Sequence, residues 1–227
     1  FVGAWESDYL GWDVAAGDVN GDGVDDFIIG APMASVGPFT STGFYAPDYQ
    51  AYHYAVFDRV QNGAVYVKLG STDITTSTGG TLDFMYCLRE LTIYGANSYD
   101  NLGRSLASGD VDGDGLDDII IGAPGAASGG LVGAGEVHVF YGSSEITFTQ
   151  CSVFTPTFFE NQIVKEMGFV TTTADITITG ITASDYSAYD VSVADLNGDG
   201  YDDIIIGVPY ADGNRGRVHV VYGGLRA

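Results

Sequence analysis

The chain has 227 residues and a formal net charge of −22, because it contains 30 acidic residues against 8 lysines and arginines. A polypeptide this acidic repels nucleic acid and anionic membrane surfaces, so neither is expected as a partner. No apolar run approaches the roughly 18 residues of a membrane-spanning helix, and two cysteines are too few for a disulfide-stapled scaffold or a cysteine-rich zinc site.

The first predicted elements are two short strands that precede an acidic loop, and this pair occurs three times. A strand that ends in glycine comes first, at residues 1–4, 91–96 and 176–181. A half-buried strand follows and runs into the loop; its copies read LGWDVAAGD, LGRSLASGD and SAYDVSVAD. The third copy has Ala188 where the others have Gly11 and Gly103.

The acidic loop itself has nine residues, with oxygen-bearing side chains at positions 1, 3, 5 and 9 and glycine at position 6. Its copies are DVNGDGVDD (18–26), DVDGDGLDD (110–118) and DLNGDGYDD (195–203). Hard divalent cations bind six to eight oxygen ligands, and calcium fits such a loop best. Acidic turns without metal are the alternative, since Asp, Asn and Gly are common in turns, but three copies at identical offsets favour metal sites.

The predicted calcium ligands are the four side chains at positions 1, 3, 5 and 9 and the backbone carbonyl at position 7. In the order of the chain they are Asp18, Asn20, Asp22, Val24 and Asp26 in loop one, Asp110, Asp112, Asp114, Leu116 and Asp118 in loop two, and Asp195, Asn197, Asp199, Tyr201 and Asp203 in loop three. We therefore expect three Ca²⁺ sites.

Two more strands follow each loop. An Ile-rich strand ends at Gly-Ala-Pro or Gly-Val-Pro, because proline cannot donate to a ladder. Residues 63–70, 135–142 and 216–223 then alternate with the period of a strand. The chain is thus predicted to be all-β, a single repeat domain over 1–227. Its units are 1–70, 91–142 and 176–223, with insertions at 33–62, 71–90 and 143–175.

The combination of Leu10-Gly11 or Leu102-Gly103, the DxNGDGxxD loop and Gly30-Ala31-Pro32 resembles the FG-GAP repeat, as found in the blades of integrin α-chain β-propellers. The resemblance implies three four-stranded antiparallel propeller-type blades, arranged as an incomplete propeller or an open array. It also implies Ca²⁺ held between the first two strands of each blade, and a role in adhesion or ligand binding.

The insertion 33–62 is unusually rich in aromatic residues. A long connection in a compact domain is often functional, and its rings could bind a glycan or anchor a protein partner. The other interpretation, which the sequence leaves open, is that the rings bury one another in a local core. The residues concerned are Phe39, Phe44, Tyr45, Tyr49, Tyr52, His53, Tyr54 and Phe57.

The sequence favours a binding or structural protein over an enzyme. His138 and His219 occupy the strand position that Tyr66 fills in unit one, and no nucleophile elbow, phosphate-binding glycine loop or HExxH pair is present. A lectin-like module or a calcium-dependent polysaccharide lyase on a similar scaffold are the alternatives. Calcium loops of modest affinity predict an extracellular or cell-surface location. The Ser/Thr-rich linkers could carry O-linked sugars there, although the β-propensity of threonine explains much of the same composition.

Cys87 and Cys151 form a candidate disulfide, because an oxidising exterior seldom leaves thiols free. Free thiols remain the alternative, since sequence cannot supply the distance between the two Cα atoms.

The resemblance to the FG-GAP pattern also implies self-association through blade edges. In that pattern the outermost strand completes the blade before it, so residues 91–96 and 176–181 are expected to complete the preceding blades, which leaves the outer edge of unit three open. We expect residues 1–4 of one molecule to complete the third blade of the next, a head-to-tail contact that generates a filament unless its rotation closes. A larger propeller, of which this chain is a fragment, is the alternative.

Overall fold

The computed structural model describes residues 7–35, 60–70, 91–146 and 174–226. Within these ranges the chain forms eleven strands in three antiparallel sheets, and its helical content is one turn, α1 (Ala211–Asn214). The all-β prediction is confirmed. None of the described helical structure is long and apolar enough to cross a membrane.

Each sheet is a blade in which strands pair in chain order. Blade one contains β1 (Val14–Gly17), β2 (Asp26–Ala31), β3 (Ala64–Lys68) and β4 (Leu91–Tyr94). Blade two contains β5 (Ser105–Gly109), β6 (Asp118–Ala123), β7 (Glu136–Phe140) and β8 (Ile176–Thr179). Blade three contains β9 (Asp190–Ala194), β10 (Asp203–Val208) and β11 (Arg217–Val221). Each acidic loop connects the first two strands of its blade.

The fourth strand of a blade comes from the next unit of the sequence, as predicted. β4 pairs with β3, and β8 pairs with β7. The glycine after each outer strand continues the pairing, since Gly95 N donates to Gly63 O at 3.0 Å and Gly180 N donates to Gly135 O at 2.8 Å. The prediction of four strands per blade therefore holds for blades one and two, whereas blade three has three strands within the described residues, with β11 at its edge.

The hydrophobic core lies between the blades, because the two faces of each sheet bury alternate residues of its strands. One cluster joins Val65 and Val67 of blade one to Leu106 and Ile121 of blade two. A second cluster joins blade two to blade three in the same way, with Val137 and Val139 of blade two in one cluster with Val191, Ile204 and Ile206 of blade three. Hydrogen bonds cross the same joints: Leu106 N donates to Asp13 Oδ2 at 2.7 Å, and Val191 N donates to Ser105 Oγ at 3.0 Å.

The turn that enters each blade requires a left-handed residue at one position. Gly11 and Gly103 both have φ of 81°, and Ala188 takes the same place in blade three with φ of 63°. The Gly-to-Ala difference noted in the sequence therefore leaves the turn intact, but it places a Cβ in a region that costs L-residues roughly 1–2 kcal/mol.

We expect Ala188→Gly to raise the free energy of unfolding, because it removes this strain. Glycine also gains entropy in the unfolded chain, and the variant loses the buried Ala188 methyl group, so the net gain should be at most about 1 kcal/mol, or at most roughly 2–4 °C in melting temperature. Gly103→Ala is the matched control and should destabilise the protein in the same thermal-unfolding assay. A lower melting temperature for Ala188→Gly would contradict the strain argument.

Candidate metal centres

Position 1 of each acidic loop organises the loop backbone. The N–H groups at positions 5 and 6 donate to its two carboxylate oxygens, which winds the loop around that side chain. The bonds are Asp22 N and Gly23 N to Asp18 at 3.0 and 2.8 Å, Asp114 N and Gly115 N to Asp110 at 3.1 and 2.9 Å, and Asp199 N and Gly200 N to Asp195 at 3.2 and 3.0 Å. All three predicted position-1 ligands thus lie inside their loops.

Positions 3 and 5 turn their oxygens into the same loop. The oxygen at position 3 accepts the N–H of position 5, and Oδ1 at position 5 accepts the N–H of position 7. The bonds to position 3 are Asp22 N to Asn20 (3.0 Å), Asp114 N to Asp112 (3.1 Å) and Asp199 N to Asn197 (2.8 Å). The bonds to position 5 are Val24 N to Asp22 (2.9 Å), Leu116 N to Asp114 (2.9 Å) and Tyr201 N to Asp199 (3.0 Å). The three loops therefore share one conformation.

The aspartate at position 9 is fully buried and braces the blade as well as the loop. Its Oδ2 accepts the N–H of position 2, and its Oδ1 accepts the N–H of the glycine that follows the third strand. The bonds are Val19 N and Gly70 N to Asp26 at 3.0 and 2.7 Å, Val111 N and Gly142 N to Asp118 at 3.0 and 2.9 Å, and Leu196 N and Gly223 N to Asp203, both at 3.0 Å. The bracing bonds were not predicted from the sequence.

Loop two brings its carboxylates close enough to share one ion. Ligand oxygens of Asp110, Asp112 and Asp118 all lie within 4.8 Å of one another. Calcium–oxygen bonds are 2.3–2.6 Å long, so oxygens bound to one Ca²⁺ are separated by at most about 5 Å. Each bracing oxygen of Asp118 also keeps a lone pair beyond its single N–H contact. The donor set of this loop therefore fits Ca²⁺.

Burial shifts the protonation of the position-9 carboxyls. Desolvation raises the pKa of Asp118 to about 7 and that of Asp26 to about 6, although backbone N–H groups oppose the shift. Neighbouring carboxylates at positions 3 and 5 of loop two, and 1 and 5 of loop one, add to it. A bound cation would favour the ionised forms of both groups.

The aspartate at position 8 links consecutive loops, a role that sequence analysis missed. Asp117 Oδ2 accepts the N–H of Asp18 at 2.8 Å, and Asp117 N donates to Asp18 O at 3.1 Å. One blade later, Asp202 N donates to Asp110 O at 2.9 Å. The available signal was that all three loops have Asp at position 8 as well as position 9. Each loop is consequently tied to its neighbour at position 1, a predicted metal ligand.

Arg226 also contacts loop two and was not singled out from the sequence. Its Nε is paired with Asp112 Oδ2, and its Nη2 lies 2.8 Å from Asp114 Oδ2. The guanidinium carbon stacks 4.0 Å from the ring centroid of Tyr141. Two of the predicted calcium ligands therefore have a cationic side chain as a partner.

Another basic residue joins all three blades. Arg104 lies 4.7 Å from the ring centroid of Trp12 and 4.4 Å from that of Tyr189. These three residues occupy equivalent places in the entry turns, so their side chains form a short row across the blades. Cation–π contacts of this kind each contribute about 0.5–1 kcal/mol at exposed sites.

Other predicted sites lie outside the described residues. These are residues 1–4, Cys87 and Cys151, and the aromatic part of the insertion 33–62. The two ends of that insertion are described: Gln61 N donates to Ser35 Oγ at 3.0 Å, and Gly63 N donates to Ala34 O at 3.1 Å. The insertion therefore leaves and re-enters blade one at one place.

The described histidine positions agree with a strand-face role. His138 and His219 face the same register positions as Tyr66, since their partners are Ile121, Ile206 and Ile29. His138 Nε2 lies 3.4 Å from Glu136 Oε2, and burial lowers the pKa of His138. This contact lies within β7.

Three antiparallel blades, each with an acidic loop between its first two strands, define a β-propeller-type repeat protein. The model of the FG-GAP repeat matches residues 10–67, 102–140 and 187–221, which is more than half of the chain. The chain belongs to the FG-GAP repeat family. The resemblance seen in the sequence is thereby confirmed.

Two kinds of relative share this similarity. A phosphatidylinositol-glycan-specific phospholipase D of Dictyostelium discoideum is 28% identical over 221 residues, covering 94% of this chain and 20% of the relative. Integrin alpha-5 of Xenopus laevis is 36% identical over 144 residues, covering 63% of this chain and 11% of the relative. Integrin alpha-PS2 of Drosophila melanogaster is 34% identical over 137 residues, covering 60% and 8%. The chain thus spans a fifth or less of each of these proteins.

Proposed function

We propose that the chain is an extracellular structural module whose blades are stabilised by three Ca²⁺ ions. The observation that carries this proposal is the repeated loop conformation, in which positions 1, 3 and 5 turn oxygens inward and position 9 is buried. The formal charge of −22 supports it, because clustered carboxylates repel one another unless a cation neutralises them. Millimolar extracellular calcium would suit loops of modest affinity.

The structural role follows from what each loop touches. Calcium, when bound, supplies the positive charge that lets four oxygen side chains approach each other. The position-9 carboxylates join the loop to the end of the third strand, as Asp118 does through Val111 and Gly142. The position-8 carboxylate of the next blade holds the start of the loop. Each ion would therefore fix its blade internally, and the ions of loops one and two would also fix it against the next blade.

Calcium titration calorimetry of the intact protein tests this proposal. We expect three Ca²⁺ per chain, and one fewer after Asp199→Ala, which removes a position-5 ligand of loop three. Asp212→Asn is the matched control, because Asp212 is an acid that pairs with Arg217 away from the loops. No heat of binding at millimolar calcium, or equal loss in both variants, would refute the proposal.

We also propose that the module associates with a second copy through blade three. Val218 and Val220 of β11 are 68% and 40% exposed, whereas their equivalents in β3 and β7, Val65, Val67, Val137 and Val139, are at most 1% exposed. In blades one and two the next blade covers these positions. The exposed valine face favours docking of another blade. The edge of β11 favours pairing with another strand, and residues 1–4 of a second copy are the proposed occupant of that edge.

Native mass measurement and electron microscopy test the association. We expect fibres or oligomers that are lost when residues 1–4 are deleted and when Val220 is replaced by Lys. Val132→Lys is the control, since Val132 is exposed on a turn away from β11. Particles of single-chain mass at all concentrations would refute self-association and favour a fragment of a larger propeller.

A glycan-binding role for the insertion 33–62 is the alternative proposal. It rests on the density of aromatic residues there and on the joined ends at Ser35 and Gln61, which allow the insertion to be replaced by a short linker without separating β2 from β3. Binding on a glycan array that disappears with residues 36–59 would support a lectin, and absence of binding would refute it. Calcium-dependent cleavage of a polysaccharide would instead support the lyase alternative.

A further inference from the structure

Loop two differs from loop one in the charge that the following blade brings to it. After the third strand of blades two and three, the chain crosses to the acidic loop of the preceding blade. Ser143 N donates to Val19 O at 2.9 Å, and Gly224 N donates to Val111 O at 2.9 Å, so the two crossings are equivalent. Two residues further on, the first crossing has Glu145 and the second has Arg226.

Arg226 is held in place by three independent contacts. Its guanidinium pairs with Asp112 and with Asp114, and it stacks on Tyr141. The Asp112 side chain is almost fully buried, while Arg226 remains partly exposed. Removing the partner of a buried carboxylate costs more than breaking a surface pair, because the carboxylate has lost most of its hydration and is then left uncompensated.

The paired oxygens belong to positions 3 and 5, which are predicted to bind the metal. A guanidinium with two N–H groups directed at these carboxylates supplies part of the charge that Ca²⁺ would supply. It also occupies lone pairs that the ion would use. Metal binding at loop two must therefore displace the guanidinium or share its two carboxylates with it. Glu145, the equivalent residue beside loop one, imposes neither cost, because it carries no positive charge.

We propose that Arg226 acts as an internal competing cation that sets the calcium affinity of loop two below that of loop one. This inference rests on the proposed calcium function. The segment that follows β11 is then coupled to the state of loop two: Arg226 is stacked on Tyr141 when calcium is scarce and released when the loop fills. Loop two thus fills after loop one as calcium rises.

Calorimetry of the full chain with Arg226→Gln tests the proposal. We expect the weakest of the three calcium steps to tighten about tenfold or more, since a hydrogen bond to a charged group contributes on this scale. Arg226→Glu should tighten it further. Arg217→Gln is the matched control, because Arg217 pairs with Asp212 at the surface and touches no loop. Asp114→Asn should abolish the affected step and so assign it to loop two.

A second measurement reports on Arg226 directly. With ¹⁵N-labelled arginine, we expect the Arg226 side-chain Nε–H signal to move during the last calcium step and not during the earlier ones. Three bound Ca²⁺ with no change of affinity in Arg226→Gln, or an unmoved Arg226 signal, would overturn this inference and leave the proposed function standing. Absence of calcium binding in every variant would overturn both.

Discussion

Excess chelator should lower the melting temperature of the protein by roughly 5–10 °C for each loop that loses its calcium. A ligand that binds only the folded state at 100 times its Kd contributes about 2.7 kcal/mol, and each kcal/mol corresponds to about 2–4 °C in a domain of this size. Thermal unfolding followed by circular dichroism measures the shift. Chelator saturated with calcium is the control, and an unchanged melting curve would contradict a structural role for the metal.

The same experiment should depend on pH in a defined direction. Burial raises the pKa of Asp118 to about 7 and that of Asp26 to about 6 in the metal-free protein, above their ordinary value of 3.8. The folded state therefore holds protons on these two carboxyls that the unfolded state has lost, so their contribution to metal-free stability is greatest below pH 4 and is lost as pH rises to about 7. The stabilisation by calcium should accordingly be larger at pH 8 than at pH 5.

Gly30→Ala should destabilise the protein by about 3 kcal/mol, at the upper end of the range for an overpacked core. A Cβ at Gly30 would lie 2.2 Å from the backbone oxygen of Gly103 in the next blade, so blades one and two would have to separate. Backbone cannot rotate away as a side chain can. Thermal or denaturant unfolding of the variant measures the loss.

Gly207→Ala is the matched control for that prediction. Gly207 occupies the same place in β10 as Gly30 does in β2, but the nearest atom to its Cβ would be the Asp190 oxygen at 3.4 Å. We expect a change within about 0.5 kcal/mol. Equal destabilisation at both glycines would show that the loss arises within the strand rather than at the joint between blades.

Local features of this fold could be predicted because the signal repeats. The loop spacing indicated which side chains turn inward, and alternation indicated where the strands lie. Both depend on residues close together in the chain, where backbone geometry limits the alternatives. The offset of β4 and β8 into the preceding blade came instead from the resemblance to the FG-GAP repeat.

The contacts between units could not be predicted in the same way. Asp117 touches Asp18, and Arg226 touches Asp112, across 99 and 114 residues. Spacing within one loop carries no information about which neighbour lies beside it. The second role of Asp118 was missed for a related reason, because a single acidic position can both bind a metal and accept backbone hydrogen bonds. Ala188 shows the reverse case, in which a residue that disfavours the left-handed turn still adopts it.

The outer strands β4 and β8 have a mechanical consequence. Each pairs with one blade in space but belongs to the following unit in sequence, so an outer strand connects blade one to unit two and another connects blade two to unit three. Tension along the chain would load the hydrogen bonds of β3 with β4 and of β7 with β8 before it could part the apolar faces between blades. A truncation at the start of unit two or unit three would remove the outer strand, β4 or β8, from the preceding blade. The load-carrying unit is therefore a pair of adjacent blades, and a protein built from such pairs would stretch by losing its outer strands first.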